Sequence, residues 1–140
     1  MTTTAPTVSE HIDLNYLAAH HATEVVFKEK MTTQQFAMNL FGVTEFVIDQ
    51  GVHKHLFDTR SIGVVSVENQ KKGATFFGSR IAGAIPKGSK FYIATVLGSD
   101  TFGNFAVKNM ATHISKAYSN FVTATFNTKQ EALAWLDQQA

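Results

Sequence analysis

An acidic residue, an arginine and two hydroxyl groups directly follow an apolar segment in the sequence LFDTRSIGVVS, residues 56–66. Asp58, Arg60 and Ser61 could contact a ligand, because open α/β sheets bind ligands beyond the carboxyl ends of their strands. A carboxylate and a hydroxyl in this position also commonly accept hydrogen bonds from backbone N–H groups of the next turn. The residue types therefore allow both ligand contact and turn stabilisation, and turn stabilisation is the commoner role.

The sequence around Asp58 matches no catalytic motif. It has neither the glycine-rich loop of a P-loop protein nor the GxSxG turn of an α/β-hydrolase. The chain has no cysteine, which excludes thiol nucleophiles and Cys-ligated zinc. His53 and His55 share a face of a predicted strand, but no third metal ligand is nearby, so we interpret them as a polar strand face near the sheet edge. We expect no catalytic residues, no metal and no cofactor.

A second candidate site is the segment 67–85, which combines large apolar side chains with three glycines. A helix here places Phe77, Ile81 and Ile85 on one face, and each glycine costs it about 1 kcal/mol relative to alanine. We interpret it as a weak helix, mobile or broken. It either packs in the core or lifts from the sheet, and in the second case Phe76, Phe77 and Ile81 would meet a small apolar ligand or a membrane.

Alternating hydrophobic patterns place these candidates in a fold. Five strands are predicted, at residues 12–20, 23–30, 52–60, 91–98 and 121–126. Helices separate the later strands, and two capping patterns, Thr32 with Gln35 and Thr128 with Glu131, predict where the first and last helices begin. Strands linked by helices imply parallel crossovers. We therefore predict an α/β fold, a mixed sheet of about five strands packed with four helices.

Composition limits the classes of protein to consider. The chain has 140 residues, is 44% hydrophobic and carries a formal net charge of +1, as one folded domain would. We predict a flexible segment over residues 1–11 and a single domain over residues 12–140. No run of Lys or Arg exceeds two residues, so we expect no nucleic-acid partner. We see neither a signal peptide nor an apolar run of membrane-spanning length, so we expect a cytoplasmic protein.

Four segments in this order make the chain resemble the SpoIIAA-like proteins, which are related to STAS domains and more distantly to Sec14-type lipid-binding domains. The segments are KMTTQQF (30–36), LFDTR (56–60), FYIATVLG (91–98) and FNTKQEALAWL (126–136). The resemblance covers about residues 12–137 and implies the same mixed sheet. The distant kinship with lipid-binding domains, taken with the glycine and phenylalanine pattern of segment 67–85, indicates a non-catalytic module that binds a small apolar ligand or an anionic membrane surface through a mobile second helix.

The resemblance implies an alternative, a regulatory module that docks a protein partner near residues 58–67. STAS anti-sigma-factor antagonists carry an Asp-x-Ser-Gly-like turn after the third strand, which Asp58, Ser61 and Gly63 match in part. Their second turn carries a phosphoserine at a helix start. Ser66 is the nearest hydroxyl here, without the flanking acid and glycine, so we do not predict switching by phosphorylation. Homodimerisation is compatible with this fold.

Overall fold

The computed structural model describes residues 2–4, 10–63 and 65–139. The strands are β1 (Thr2–Thr4), β2 (Ile12–Leu17), β3 (Ala22–Phe27), β4 (Lys54–Asp58), β5 (Phe91–Val96) and β6 (Phe121–Phe126). The α-helices are α1 (Thr33–Gln50), α2 (Val67–Ala84), α3 (Thr101–Ala117) and α4 (Lys129–Asp137), and a 3-10 turn at Ala18–His20 joins β2 to β3.

All strands form one mixed sheet in the order β1-β2-β3-β4-β5-β6. The first two pairings are antiparallel, and the pairings from β3 to β6 are parallel. The α/β prediction, with five strands from Ile12 onward and four helices, is confirmed. The short β1 adds a sixth strand within the segment predicted to be flexible, of which Met1 and residues 5–9 lie outside the described part of the chain.

The helices cover both faces of the sheet unequally. Strands β3 to β6 follow one another across the sheet in chain order, so right-handed crossovers place α1, α2 and α3 on the same face. The larger core, which includes Val25, Val43 and Phe77, lies on that face. The smaller core, which includes Leu56 and Leu136, lies under α4 on the opposite face.

Capping residues fix where α1 and α4 begin. The Thr32 side chain accepts a hydrogen bond from the Gln35 backbone N–H (3.2 Å), and the Gln35 side chain accepts one from the Thr32 N–H (2.9 Å). This is the predicted capping box, and Gly51, with a φ of 68°, ends the same helix. Thr128 caps α4 by accepting from the Glu131 N–H at 3.1 Å. The predicted starts of both helices and the box at Thr32 are confirmed. At α4 only half of the predicted capping box forms, because the Glu131 carboxylate accepts from the Thr128 hydroxyl (2.9 Å) rather than from its backbone N–H.

Helix α2 is continuous from Val67 to Ala84, so the expectation of a broken helix was wrong. Two of its glycines lie where neighbouring helices approach closely. A Cβ added at Gly73 would lie 3.0 Å from a Leu40 methyl of α1, and one added at Gly78 would lie 2.6 Å from the Tyr118 ring. Glycine lowers the intrinsic helix propensity at these two positions, but the absence of a Cβ allows the neighbouring side chains to pack closely against α2. The mobility of α2 stays a prediction.

His55 corrects a second expectation. Its strand, β4, lies between β3 and β5, so it is not near the sheet edge, and the His55 side chain is fully buried. His55 Nδ1 lies 2.7 Å from the Thr23 hydroxyl, and its ring packs edge-on against Phe57 with centroids 4.3 Å apart. His53 precedes the strand and is only half-buried.

Candidate functional site

The residues singled out by the sequence lie in three places rather than in one site. Asp58 and Arg60 lie on the α4 side of the sheet, Phe77 and Ile81 lie on the opposite side, and Ser61, Ser66 and Phe76 lie in the loop before α2 or on its outer surface. The alternation of side chains along β4 causes this division, because Phe57 and Asp58 must point to opposite faces.

On the α4 side, Arg60 encloses the Asp58 carboxylate. Arg60 Nε donates to Oδ1 at 2.9 Å, Nη2 donates to Oδ2 at 2.6 Å, and the Arg60 backbone N–H donates to Oδ1 at 3.3 Å. The Asp58 side chain is 3% exposed and the Arg60 side chain 52% exposed. Burial on its own would raise the pKa of Asp58, but the hydrogen bonds and charge of Arg60, with the charge of Lys129, hold it below its ordinary value.

A second buried carboxylate, Glu24 of β3, has its own partners. Its Oε2 lies 2.5 Å from the Lys129 ammonium at the start of α4, and its Oε1 accepts from Asn15 Nδ2 at 2.8 Å. Each buried acid of this group is therefore matched by one cation, and the charges cancel. The pairs connect Lys129 of α4 and Arg60 of the turn after β4 to the sheet, and removal of either cation would leave a buried carboxylate without its counter-charge.

On the other side of the sheet, an apolar cavity of about 50 Å³ lies between the strands and helices α1, α2 and α3. It is lined by Phe27, Phe36, Leu40, Phe57, Thr59, Ile62, Gly73, Phe77, Ile93, Thr95, Val107, Met110, Ala111, Ile114 and Thr123. Two of the lining hydroxyls are already bonded, since Thr59 Oγ1 donates to the Val96 carbonyl at 2.7 Å and Thr123 Oγ1 lies 2.9 Å from Ser115 Oγ. The walls therefore favour an apolar occupant.

A groove of about 210 Å³ between α1 and α2 adjoins this cavity. Phe36, Leu40 and Gly73 line both spaces, so the groove and the cavity adjoin at these three residues. At the outer rim, Phe41 is 56% exposed and stacks against Phe76 of α2, with ring centroids 5.8 Å apart. Of the predicted apolar residues, Phe77 thus lines the cavity, Phe76 lines the groove, and Ile81 packs in the core nearby.

A third concave region, of about 230 Å³, lies between the first turns of α1 and α2. Lys30, Thr32 and Thr33 line one side, and Ser66 and Asn69 line the other. Ser66 is the N-cap of α2, and its hydroxyl accepts from the Asn69 N–H at 3.1 Å. Together with the exposed Ser61, this places the predicted docking segment 58–67 at the carboxyl edge of the sheet.

Sequence reasoning missed most of the cavity wall. The contributions of α3, from Val107 to Ile114, and of the strands follow from packing between distant elements. Two signals were available. The alternation of Phe57 with Asp58 predicts an aromatic ring on the face opposite the carboxylate. The helical spacing of Phe36 with Leu40 and of Met110 with Ile114 predicts that these side chains face the core.

Three further findings bear on function. Within residues 10–63 and 65–139, no group of three or more His, Asp or Glu side chains is placed to hold a metal ion. No helix in the described part of the chain is long and apolar enough to cross a membrane. No protein-family model, curated protein or solved structure matches the sequence or the fold.

Proposed function

We propose that the protein is a non-catalytic module that binds a small apolar ligand in the cavity between the sheet and helices α1, α2 and α3. The cavity itself supports this most directly. Protein interiors are close-packed, with few voids larger than a water molecule, and a water requires about 10–15 Å³. An apolar space of about 50 Å³ exceeds that volume and offers water almost no hydrogen-bonding partner.

The groove between α1 and α2 supplies the access route. Rotation of the Leu40 and Phe36 side chains would join it to the cavity, because Gly73 presents no side chain at this point. Outward movement of α2 would enlarge the cavity for a ligand with a longer hydrocarbon chain. The resemblance to SpoIIAA-like proteins, which are distantly related to Sec14-type lipid-binding domains, supports the same proposal.

The exposed rim of the groove suits contact with a membrane from which such a ligand is taken. Phe41 lines the groove and is among the few large apolar side chains exposed in the described residues. Lys71 and Lys72 of α2 are exposed on the neighbouring turn and would face anionic head groups.

A fatty-acid series tests this proposal. Saturated acids of four to twelve carbons are titrated into the protein while its thermal unfolding is followed, and binding to the folded state raises the free energy of unfolding by about 2.7 kcal/mol at 100 times Kd. Ala111→Leu fills the cavity and should abolish the shift for every acid. Thr112→Leu, at an exposed neighbour on α3, should leave it unchanged. The absence of a shift with any acid, or equal shifts in both variants, would contradict the proposal.

A second candidate function is a regulatory module that docks a protein partner near residues 58–67. The observation that favours it is Val67, which is 64% exposed at the start of α2, next to the exposed Ser66. Ser61 and Arg60 are exposed earlier in the same segment. The docking function would be supported by a protein partner that the wild type captures. The Ala111→Leu variant should still capture this partner, and the Val67→Asp variant should not. Capture that Val67→Asp does not change would contradict it.

A further inference from the structure

Strand β6 forms an edge of the sheet. It pairs with β5 and is the last strand of the sheet in the described part of the chain. Its sequence, FVTATF, has no charge, no proline and no glycine. An edge strand presents unpaired N–H and C=O groups, so a neutral strand of six residues is a template for pairing with another strand.

The opposite edge is protected in the ways that edge strands usually are. The outermost strand there, β1, has only three residues. Its neighbour β2 carries Asp13, which lies 3.3 Å from Lys28. Short strands and charged side chains both oppose pairing between sheets. The two edges therefore differ, and β6 lacks both protections.

The hydrogen bonds to β5 show which groups of β6 point outward. The Phe91 N–H donates to the Asn120 carbonyl at 2.9 Å, and the Leu97 N–H donates to the Phe126 carbonyl at 2.8 Å. Even-numbered residues of β6 therefore direct their backbone groups at β5. The N–H and C=O groups of Thr123 and Thr125 point away from the sheet.

We propose that β6 pairs antiparallel with β6 of a second copy of this chain, about a two-fold axis at Ala124. In this register Thr123 lies opposite the partner's Thr125, and the two residues exchange both backbone hydrogen bonds. Val122 lies opposite the partner's Phe126, and Ala124 lies opposite its own copy. A threonine opposite a threonine, and an aromatic residue opposite a β-branched residue, are favourable pairs across two strands. Both kinds of pair form when two copies of β6 lie antiparallel in this register.

The surroundings of β6 fit this pairing. Phe126 contacts Trp135 of α4, with ring centroids 5.8 Å apart, and Val122 is half-buried on the same face. A partner's Phe126 beside Val122 would extend the smaller core across the axis. Thr125 on the other face is exposed and uncharged. A contact made mainly by two strands falls among small interfaces, so the dimer should dissociate on dilution.

A single cysteine tests the register, since the natural chain has none. Residues opposite each other in a non-hydrogen-bonded pair have Cα atoms about 4.5 Å apart, within disulfide range. Mild oxidation should therefore cross-link most of an Ala124→Cys variant at concentrations where sedimentation equilibrium shows a dimer. Thr75→Cys, at an exposed position on α2, controls for random collision.

Substitutions at Thr125 test the edge. Thr125→Pro removes an outward N–H and no bond to β5, and Thr125→Lys adds a charge to the edge. Each should raise the dimer dissociation constant at least about tenfold, a loss that one or two hydrogen bonds per copy would cause. Thr125→Val should dimerise as the wild type does. Circular dichroism checks the folding of each variant. If Thr125→Pro does not fold, the dissociation constant of Thr125→Lys is the test of the proposal.

Two results would overturn the proposal. One is a monomer at every concentration, with Ala124→Cys cross-linking no faster than Thr75→Cys. The other is a dimer that neither Thr125→Pro nor Thr125→Lys weakens, since such a dimer would use another surface.

Discussion

His55 and Asp58 are three residues apart on β4, point to opposite faces, and have lowered pKa values for different reasons. Burial lowers the pKa of His55 to about 3, because the imidazolium would lose its hydration without gaining a counter-charge. Burial opposes the shift of Asp58, and the hydrogen bonds and charge of Arg60 outweigh it. Low pH should therefore destabilise the fold in two ways: by protonation of the buried His55 on one face of the sheet, and by protonation of the Asp58 carboxylate, which loses its ion pair, on the other.

His55→Leu should remove one acid-sensitive component of stability. The unfolded chain binds a proton at His55 below its ordinary pKa of 6.5, and the folded chain does so only near pH 3. The stability of the wild type therefore falls as the pH drops through this window, by up to about 1.4 kcal/mol per pH unit from this group. Urea unfolding at pH 4 to 7 should show a shallower slope in the variant. Equal slopes would mean that His55 can become charged without unfolding.

Arg60→Met should destabilise the protein most at neutral pH. It leaves the buried Asp58 carboxylate without its cation, at a cost of about 1–3 kcal/mol, less than for a fully buried pair because the guanidinium is half exposed. The wild-type contribution of Asp58 is present above the unfolded pKa, near 4, and is lost as the pH falls through the lower folded pKa. The difference between the two proteins should therefore shrink below pH 4.

Lys72→Met is the matched control for Arg60→Met. Lys72 pairs with Glu68 at 2.6 Å on the exposed surface of α2, where water replaces the interaction. Urea unfolding at pH 7 should detect no loss. A loss as large as that of Arg60→Met would show that burial of the carboxylate is not the cause.

At the scale of elements, the glycines of α2 show where packing against neighbouring side chains, rather than intrinsic helix propensity, explains the residue type. Gly73 and Gly78 lie against side chains of α1 and of the residues that follow α3, whereas Gly83 faces open space. The same residue type is thus required at two positions and is merely tolerated at the third.

Gly78→Ala and Gly83→Ala should change stability in opposite directions. At Gly78 the new methyl would lie 2.6 Å from the Tyr118 ring, and the resulting shift should cost about 1–3 kcal/mol, more than alanine gains in helix propensity. At Gly83 nothing lies within 4 Å, so alanine should stabilise by about 0.5–1 kcal/mol. Urea unfolding of both variants measures this. Destabilisation by Gly83→Ala, or stabilisation by Gly78→Ala, would contradict the packing described for α2.

How far the sequence predicts the structure depends on the range of the signal. The caps at Thr32 and Thr128 and the apolar strand at 91–96 were predictable, because their cause lies within a few residues. The role of Gly78 was not, because it depends on Tyr118, forty residues away. His55 was misplaced for the same reason, since its burial depends on β4 lying inside the sheet.

At the scale of the whole molecule, the sheet separates two cores with different chemistry. The core under α1, α2 and α3 is apolar and contains the cavity, and the α4 side holds the ion pairs of Asp58 and Glu24. The strands separate most side chains of one side from those of the other. A ligand in the cavity should therefore leave the α4 side unchanged.

The combination of Arg60→Met with Gly78→Ala tests this separation. Arg60 acts on the α4 side and Gly78 on the opposite side, and the two share no partner. Substitutions at distant, independent sites add to within about 0.5 kcal/mol, so the double variant should lose the sum of the two single losses in urea unfolding. Gly73→Ala with Gly78→Ala, on one helix and in one core, should deviate more from additivity, because both displace α2. If the pair on opposite faces deviated by more than about 1 kcal/mol, the sheet would not isolate the two cores, and the proposed ligand under α2 would then also alter residues 58–67.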